Sequence, residues 1–459
     1  LTRQKRATMT FPHYFFCGVG GSGMMPLAMI VAARGARVSG SDRSLDQGRI
    51  ADKFAALEKL GIALFPQDGS GVTPGQIFVA SAAVEESVPD VVAANRLGLE
   101  RLSRADLLAQ LFNASETRIA IGGTSGKSTV TGMIGWILDQ ADCDPTIMNG
   151  AVMKNYARPD APFASARVGA SDVFVSEVDE SDGSIALYTP DIAVLNNVAL
   201  DHKSMDELRR LFGDFIGKAP IAVVNADNDE ALALAGSNAR TFGFGERAAL
   251  RGLDLVERPD GVDFLANGVR VSLNVPGRHN ASNALAALAA AEAAGVALAV
   301  GAAALADFAG LRRRLDLVGS RHGVTVIDDF GHNPDKIGAT LDTLHAFPGR
   351  LLMMFQPHGY GPLKLMGDAL AETFRTKLGV DDRLFLPDPV YYGGTVDRSA
   401  GSDALAKAIG PRANHVPRRA DIGDRLVAEA RAGDRILIMG ARDDTLSRFA
   451  EDILERLDG

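Results

Sequence analysis

The run Gly123-Thr124-Ser125-Gly126-Lys127-Ser128-Thr129 sets a lysine after a glycine and before two hydroxyl residues. An apolar stretch from Arg118 to Ile121 precedes it, and STVTGMIGWILDQ follows as a helix. At such a strand-to-helix turn the backbone N–H groups and the helix dipole can hold phosphate oxygens. Lys127 would bridge the terminal phosphates, and Ser128 or Thr129 would reach Mg2+. Ile121 stands where the eight-residue phosphate loop has its first glycine, so the match is to the shorter Gly-Thr-x-Gly-Lys-[Ser/Thr] form.

A second glycine cluster lies upstream. Gly18-Val19-Gly20-Gly21-Ser22-Gly23 satisfies G-x-G-x-x-G after a strand, the helix MPLAMIVAARG follows, and Asp42 ends the next strand. The glycines suit a diphosphate lying against a helix N-terminus, but nothing in them demands nicotinamide. A dinucleotide, another nucleotide diphosphate and a ligand-free tight turn all fit the pattern. Further along, Glu177 in VFVSEVDESD closes an apolar strand, and His202 in NNVALDHKS follows the next one. Each alone reads as an ordinary loop residue. In one sheet with Lys127, they could hold Mg2+ on ATP phosphates.

These loops need parallel strands to aim them, and the chain supplies the pattern. Short β-rich runs alternate with Ala- and Leu-rich helical stretches throughout, which predicts an α/β protein. At 459 residues, about three domains are expected. The first contains the strand from Tyr14 to Cys17 and extends to a polar stretch, NASET, that reads as a linker near residue 113. The second holds the phosphate loop, the strands DVFVSE, IAVLNN and IAVVNAD, a small β excursion at about residues 240 to 275, and an Ala-rich run of one or two helices. Past Arg312-Arg313-Arg314 a third repeats the alternation through VTVIDD, RLLMMF, DRLFLP and RILIMG. The expected domains are residues 1–112, 113–310 and 311–459.

Composition narrows the classes. With 46% hydrophobic and 23% charged residues the chain reads as a soluble globular protein. Lysine and arginine number 48 against 57 acids, a net charge of −9, which offers no footprint for nucleic acid. Cys17 and Cys143 are too few for a disulfide framework or a zinc site, so a reducing cytoplasm is the expected location. The basic, then apolar, start has only about six apolar residues before its glycines, too short for a signal peptide. Met9 is a second plausible start, with residues 1–8 an extension. No run of about 18 apolar residues occurs, so no membrane span is expected.

Seven blocks in chain order carry a resemblance: GVGGSGM with VSGSD, GTSGKST, SEVDESD, the Asp201-His202 pair, GRHNASN, RRLD and DDFGHNP. Together they resemble the Mur ligase family, and most of all its alanine-adding and muropeptide branches. The resemblance implies a Rossmann-like N-terminal domain that binds a UDP-sugar, a central ATPase-type parallel-sheet domain and a Rossmann-like C-terminal ligase domain. It also implies an ATP- and Mg2+-dependent ligase that forms an amide between the carboxylate of UDP-N-acetylmuramate and an amino acid, L-alanine first, through an acyl phosphate in peptidoglycan precursor synthesis. Another amino acid, or a peptide acceptor in muropeptide recycling, is the alternative. A nicotinamide oxidoreductase using only the first loop and a catalytically silent nucleotide-binding relative are the competing classes.

Position by position, the resemblance places Gly123 to Thr129 on the ATP phosphates, with Ser128 and Glu177 on one Mg2+ and His202 on a second. It puts Asn280 and Asn283 on adenine, with Arg314 and Asp329 reaching the nucleotide from the third domain. His332 is a further candidate, and Gly18, Gly20, Gly21, Ser22, Gly23, Met24 and Asp42 would hold the UDP moiety. Several Mur ligases carry a carbamylated lysine downstream of the Asp-His pair; here DELRRLFGDF has none, and Phe215 falls near that place. Ser125, Lys203, Asn333, Gly359 and the MGARDDT ending depart from the alanine-adding pattern, which leaves the acceptor open.

Overall fold

A computed structural model describes residues 11–82, 84–200, 203–390, 401–441, 443 and 445–457. His202 and its neighbour Asp201 lie outside the described residues, as do residues 1–8 and Met9.

The first sheet is wholly parallel, in the order Ala63–Phe65, Arg37–Ser41, His13–Cys17, Ile77–Ala80 and Glu100–Ser103. In His13–Cys17 consecutive side chains enter opposite cores. Phe16 packs with Met25, Leu27 and Phe112 on one face, while Phe15 and Cys17 pack with Phe78 and Val91 on the other. A strand buried on both faces needs an apolar run rather than an alternation, and YFFC is one. Connections run in opposite directions on either side of His13–Cys17, so the crevice of this sheet opens at its carboxyl end.

The central sheet runs Arg240–Gly243, Ile221–Asn225, Ile192–Leu195, Thr117–Gly122, Val173–Glu177 and Thr146–Met148 in parallel, closed by the antiparallel Ala166–Arg167. Thr117–Gly122 is thus flanked on both sides, and everything that follows its neighbours emerges at the same edge. The strand Leu250–Arg258 starts beside Arg240–Gly243 and continues into the antiparallel partners Gly261–Ala266 and Val269–Leu273, the β excursion expected from the sequence. The third sheet pairs Asp316–Arg321 antiparallel with Val324–Asp329. It then continues in parallel through Arg435–Gly440, Leu351–Gln356, Arg383–Leu386 and Ala413–His415.

The Ala-rich run forms two helices, Arg278–Ala293 and Leu298–Leu305. The supposed linker shrinks to residues 114–116, because Asn113 ends one helix and Thr117 begins a strand. Contacts divide the chain into two compact units, residues 1–251 with 285–304, and residues 252–284 with 305–459. Among the described residues no helix is long and apolar enough to cross a membrane.

Candidate active site

Register explains how the phosphate loop is furnished. Ile121 lies opposite Glu177 on one side, and Gly122 opposite Leu195 on the other, so Glu177 and the Asn196-Asn197 pair arrive beside Gly123. Gly126 adopts a left-handed conformation (φ +82) as it caps the helix Lys127–Gln140. Gly123 sits at φ +131, and a Cβ there would lie 3.1 Å from the backbone N and O of Asn197. Both positions therefore favour glycine.

Asn197 braces the loop from across the sheet. Its carbonyl accepts the Thr124 N–H at 3.2 Å, and its Oδ1 accepts the Ser125 N–H at 2.8 Å and the Thr124 hydroxyl at 2.9 Å. The Asn196 and Asn197 amides both donate to the Ser125 carbonyl at 3.0 Å. Only backbone atoms of Ser125 take part in these bonds. The loop's shape therefore does not depend on the Ser125 side chain, at a position that departs from the alanine-adding pattern.

Lys127 Nζ donates to the Gly123 carbonyl at 2.7 Å and to Glu180 Oε2 at 2.8 Å, Glu180 being almost wholly buried. Ser128 Oγ donates to Glu177 Oε2 at 2.7 Å. Asn149, fully buried, donates to the Ser128 carbonyl, and a Cβ on the adjacent Gly150 would come within 2.2 Å of Glu177 Oε1. Gly150 thus leaves room for that carboxylate. Among the described residues no group of three or more His, Cys, Asp and Glu could hold a metal. One hydroxyl and one carboxylate suit Mg2+ well, since that ion keeps waters and shares its remaining positions with phosphate oxygens. Phe215 is buried against the base of the loop, where a Cβ on Gly122 would be 3.0 Å from its ring.

The first glycine loop is built differently. Gly18 and Val19 donate their N–H groups to the Ser41 carbonyl, and Gly20 N–H donates to Asp42 Oδ2 at 2.9 Å. Asp42 Oδ1 accepts the Ser44 N–H, capping a short helix, so this carboxylate acts on backbone at both oxygens. Lys53 Nζ reaches the Gly20 carbonyl at 2.7 Å. Gly21, Ser22 and Gly23 lead into the helix Met24–Ala33, with Met24 buried.

The remaining candidates lie in the second unit. Asn280 donates to the Pro276 carbonyl at 2.7 Å and Asn283 to Asn280 Oδ1 at 3.1 Å, one turn apart on a helix face. Asp329 accepts from Leu315 N–H, Gly331 N–H and the Thr340 hydroxyl, tying the arginine turn to the Gly331 turn. The guanidinium groups of Arg313 and Arg314 lie 5.0 and 4.7 Å from the Phe330 ring centroid. Arg313 is buried, bonds the Gly440 carbonyl and lies 3.7 Å from Asp328. Burial pushes the Asp328 carboxyl up to about 6, although Arg313 opposes it. Burial, and then Lys336, push His332 down to about 3, so its imidazole is neutral at pH 7. Its Nδ1 faces the Phe330 carbonyl at 2.9 Å, and its ring meets His358 edge-on at 5.2 Å.

Several departures from the family pattern have local causes. Asn333 caps the helix Pro334–His345 by accepting the Lys336 N–H. Gly359 stands at φ +138 before the helix Tyr360–Lys377. Lys203 pairs with Glu207 at 2.7 Å, and Asp443 accepts from Gln356 and Arg419. The sequence reading missed Glu180, Asn149, Gly150 and Asn197. Glu180 lay within the quoted SEVDESD block, and Asn197 within NNVALDH, but neither string says which residue turns inward.

A Rossmann-ordered sheet, a phosphate-loop sheet and a third mainly parallel sheet define a three-domain α/β nucleotide-binding protein. Residues 13–116 match the model of the Mur ligase family catalytic domain, 121–291 the Mur ligase middle domain, and 313–442 the Mur ligase glutamate ligase domain. A UDP-N-acetylmuramate–L-alanine ligase of Paracoccus denitrificans is 34% identical over 96% of each chain, and one of Streptomyces coelicolor is 36% identical over 95% of this chain and 96% of its own. The fold is shared with the crystal structure of the alanine ligase MurC of Thermotoga maritima (TM-score 0.79, 24% identity, 97% of this chain and 99% of that one). It is shared also with a murein peptide ligase of Psychrobacter arcticus (0.71, 23%, 97% and 98%). The chain belongs to the Mur ligase family.

Proposed function

We propose that the protein is an ATP-dependent ligase of peptidoglycan precursor synthesis that joins the carboxylate of UDP-N-acetylmuramate to an amino acid, L-alanine first among acceptors. The observation that carries this reading is the pairing of Lys127 with Glu180 and of Ser128 with Glu177 at one strand-to-helix turn. ATP would transfer its γ-phosphoryl group to the carboxylate, giving ADP and an acyl phosphate. The acceptor amine would then attack the acyl carbon, expel phosphate, lose a proton and leave the amide. No enzyme nucleophile is needed. Lys127 and the N–H groups of Gly126 to Thr129 would bind and orient the phosphates and stabilise charge on the transferring group. Ser128 and Glu177 would hold Mg2+, which when bound supplies further neutralisation of phosphate charge.

His202 is assigned to a second Mg2+ on the family resemblance alone. Asn280 and Asn283 are assigned to adenine, Arg314 and Asp329 to the nucleotide and His332 to the acceptor region. Gly18 to Met24 with Asp42 form the proposed UDP site. Domain limits at residues 112 and 310 rest on the polar NASET stretch and the Arg312-Arg313-Arg314 cluster. A cytoplasmic location fits the two free cysteines and soluble substrates of this class.

The test is ADP release on adding UDP-N-acetylmuramate with each of a panel of amino acids and short muropeptides. Release with L-alanine supports the reading as stated, and release only with another acceptor moves it to the alternative branch. No release with any acceptor overturns it.

A further inference from the structure

The proposed UDP site holds a cation that neither glycine motif announces. Arg104 is the first residue of the helix Arg104–Asn113, directly after the strand Glu100–Ser103, and so stands at the carboxyl edge of the first sheet, as Gly18 and Asp42 do. A capping box between Ser103 and Asp106 fixes its backbone. Its side chain runs along the glycine loop. A Cβ on Gly23 would lie 2.9 Å from Arg104 Cδ, 3.3 Å from Nη1 and 3.4 Å from Nε. Gly23 is the residue that caps the helix Met24–Ala33, where a diphosphate would meet the helix N-terminus.

Among the described residues Arg104 makes one hydrogen bond, from Nη2 to Asp182 Oδ2, and at 3.4 Å it is long for a charged pair. Its side chain keeps about a fifth of its surface exposed. Most of the guanidinium fork is therefore uncommitted beside the loop. Resting on the UDP-sugar reading of that loop, we infer that Arg104 is a substrate-binding residue that takes the diphosphate of the sugar nucleotide, exchanging its long contact to Asp182 for phosphate oxygens. A guanidinium matches two phosphate oxygens at once, which a lysine cannot do.

Calorimetric titration of UDP into the full chain and three variants tests this. Wild type should bind UDP, Arg104→Ala should weaken binding roughly tenfold or more, and Arg104→Lys should fall between. Asp182→Asn should bind UDP as well as wild type or better, because it releases the guanidinium. ADP binding, read in parallel, reports whether each variant is folded. Equal losses in Arg104→Ala and Asp182→Asn would show a merely structural ion pair and overturn the inference, as would unchanged UDP binding in Arg104→Ala. Wild type that fails to bind UDP while still binding ADP would remove the sugar-nucleotide reading itself.

Discussion

The two glycine loops of the first unit share a plan and differ in what they leave exposed. Each follows a central parallel strand, leads into a helix and is braced from a neighbouring strand end, by Asp42 in one case and Asn197 in the other. The brace at the first loop is a carboxylate, and the helix behind it begins with buried Met24 and Met25. At the second the brace is neutral, and its helix begins with Lys127, Ser128 and Thr129, two of them paired to carboxylates. A diphosphate that does not react would need binding groups alone, the backbone cradle with Arg104 beside it. Phosphoryl transfer needs a cation and metal-binding oxygens placed on top of the same cradle.

Lys127→Ala breaks the comparison most severely. It removes a charged phosphate contact worth roughly 1.5 to 3 kcal/mol, so ligation should fall about tenfold or more while UDP binding is retained. Unchanged turnover in an ADP-release assay would sink the assignment. Glu177→Ala should raise the Mg2+ concentration for half-maximal activity roughly tenfold, and a superimposable Mg2+ titration would count against Glu177 as a ligand. For the first loop the expected loss is in stability and UDP binding rather than in phosphoryl transfer. Asp42→Ala strips acceptors from Gly20 and Ser44 and should cost about 1 to 2 kcal/mol in thermal unfolding, with ADP affinity unaltered. The smallest effect concerns the strand beneath that loop. Cys17 is fully buried, and burial pushes its thiol up to about 12, so a thiol reagent at pH 8 should label Cys143 alone until the chain is unfolded.

Much of this contrast was legible in the sequence because glycines and the lysine act at their own positions. Gly126 and Gly123 adopt backbone conformations that side chains disfavour, and Lys127 sits where helix geometry must put it. The partners were not legible for the opposite reason. Glu180 is 53 residues from Lys127 and Asn197 is 73 from Thr124, brought near by strand order alone. Asp42 was readable as the end of a strand, but its grip on Gly20 and Ser44 depends on side-chain direction there. Arg104 carries no motif, since an arginine opening a helix reads as a solvated charge. The division into two units was hidden as well, because the helix Arg278–Ala293 runs without a break across residue 284, where one unit gives way to the other.

Phe215, packed under Gly122, has a consequence outside phosphate binding. The resemblance puts Phe215 near the place where several Mur ligases carry a carbamylated lysine, and DELRRLFGDF holds no lysine at all. An aromatic ring cannot form a carbamate. The rate of this enzyme should therefore be indifferent, at that position, to the dissolved bicarbonate of its surroundings, and degassed buffer should not slow it.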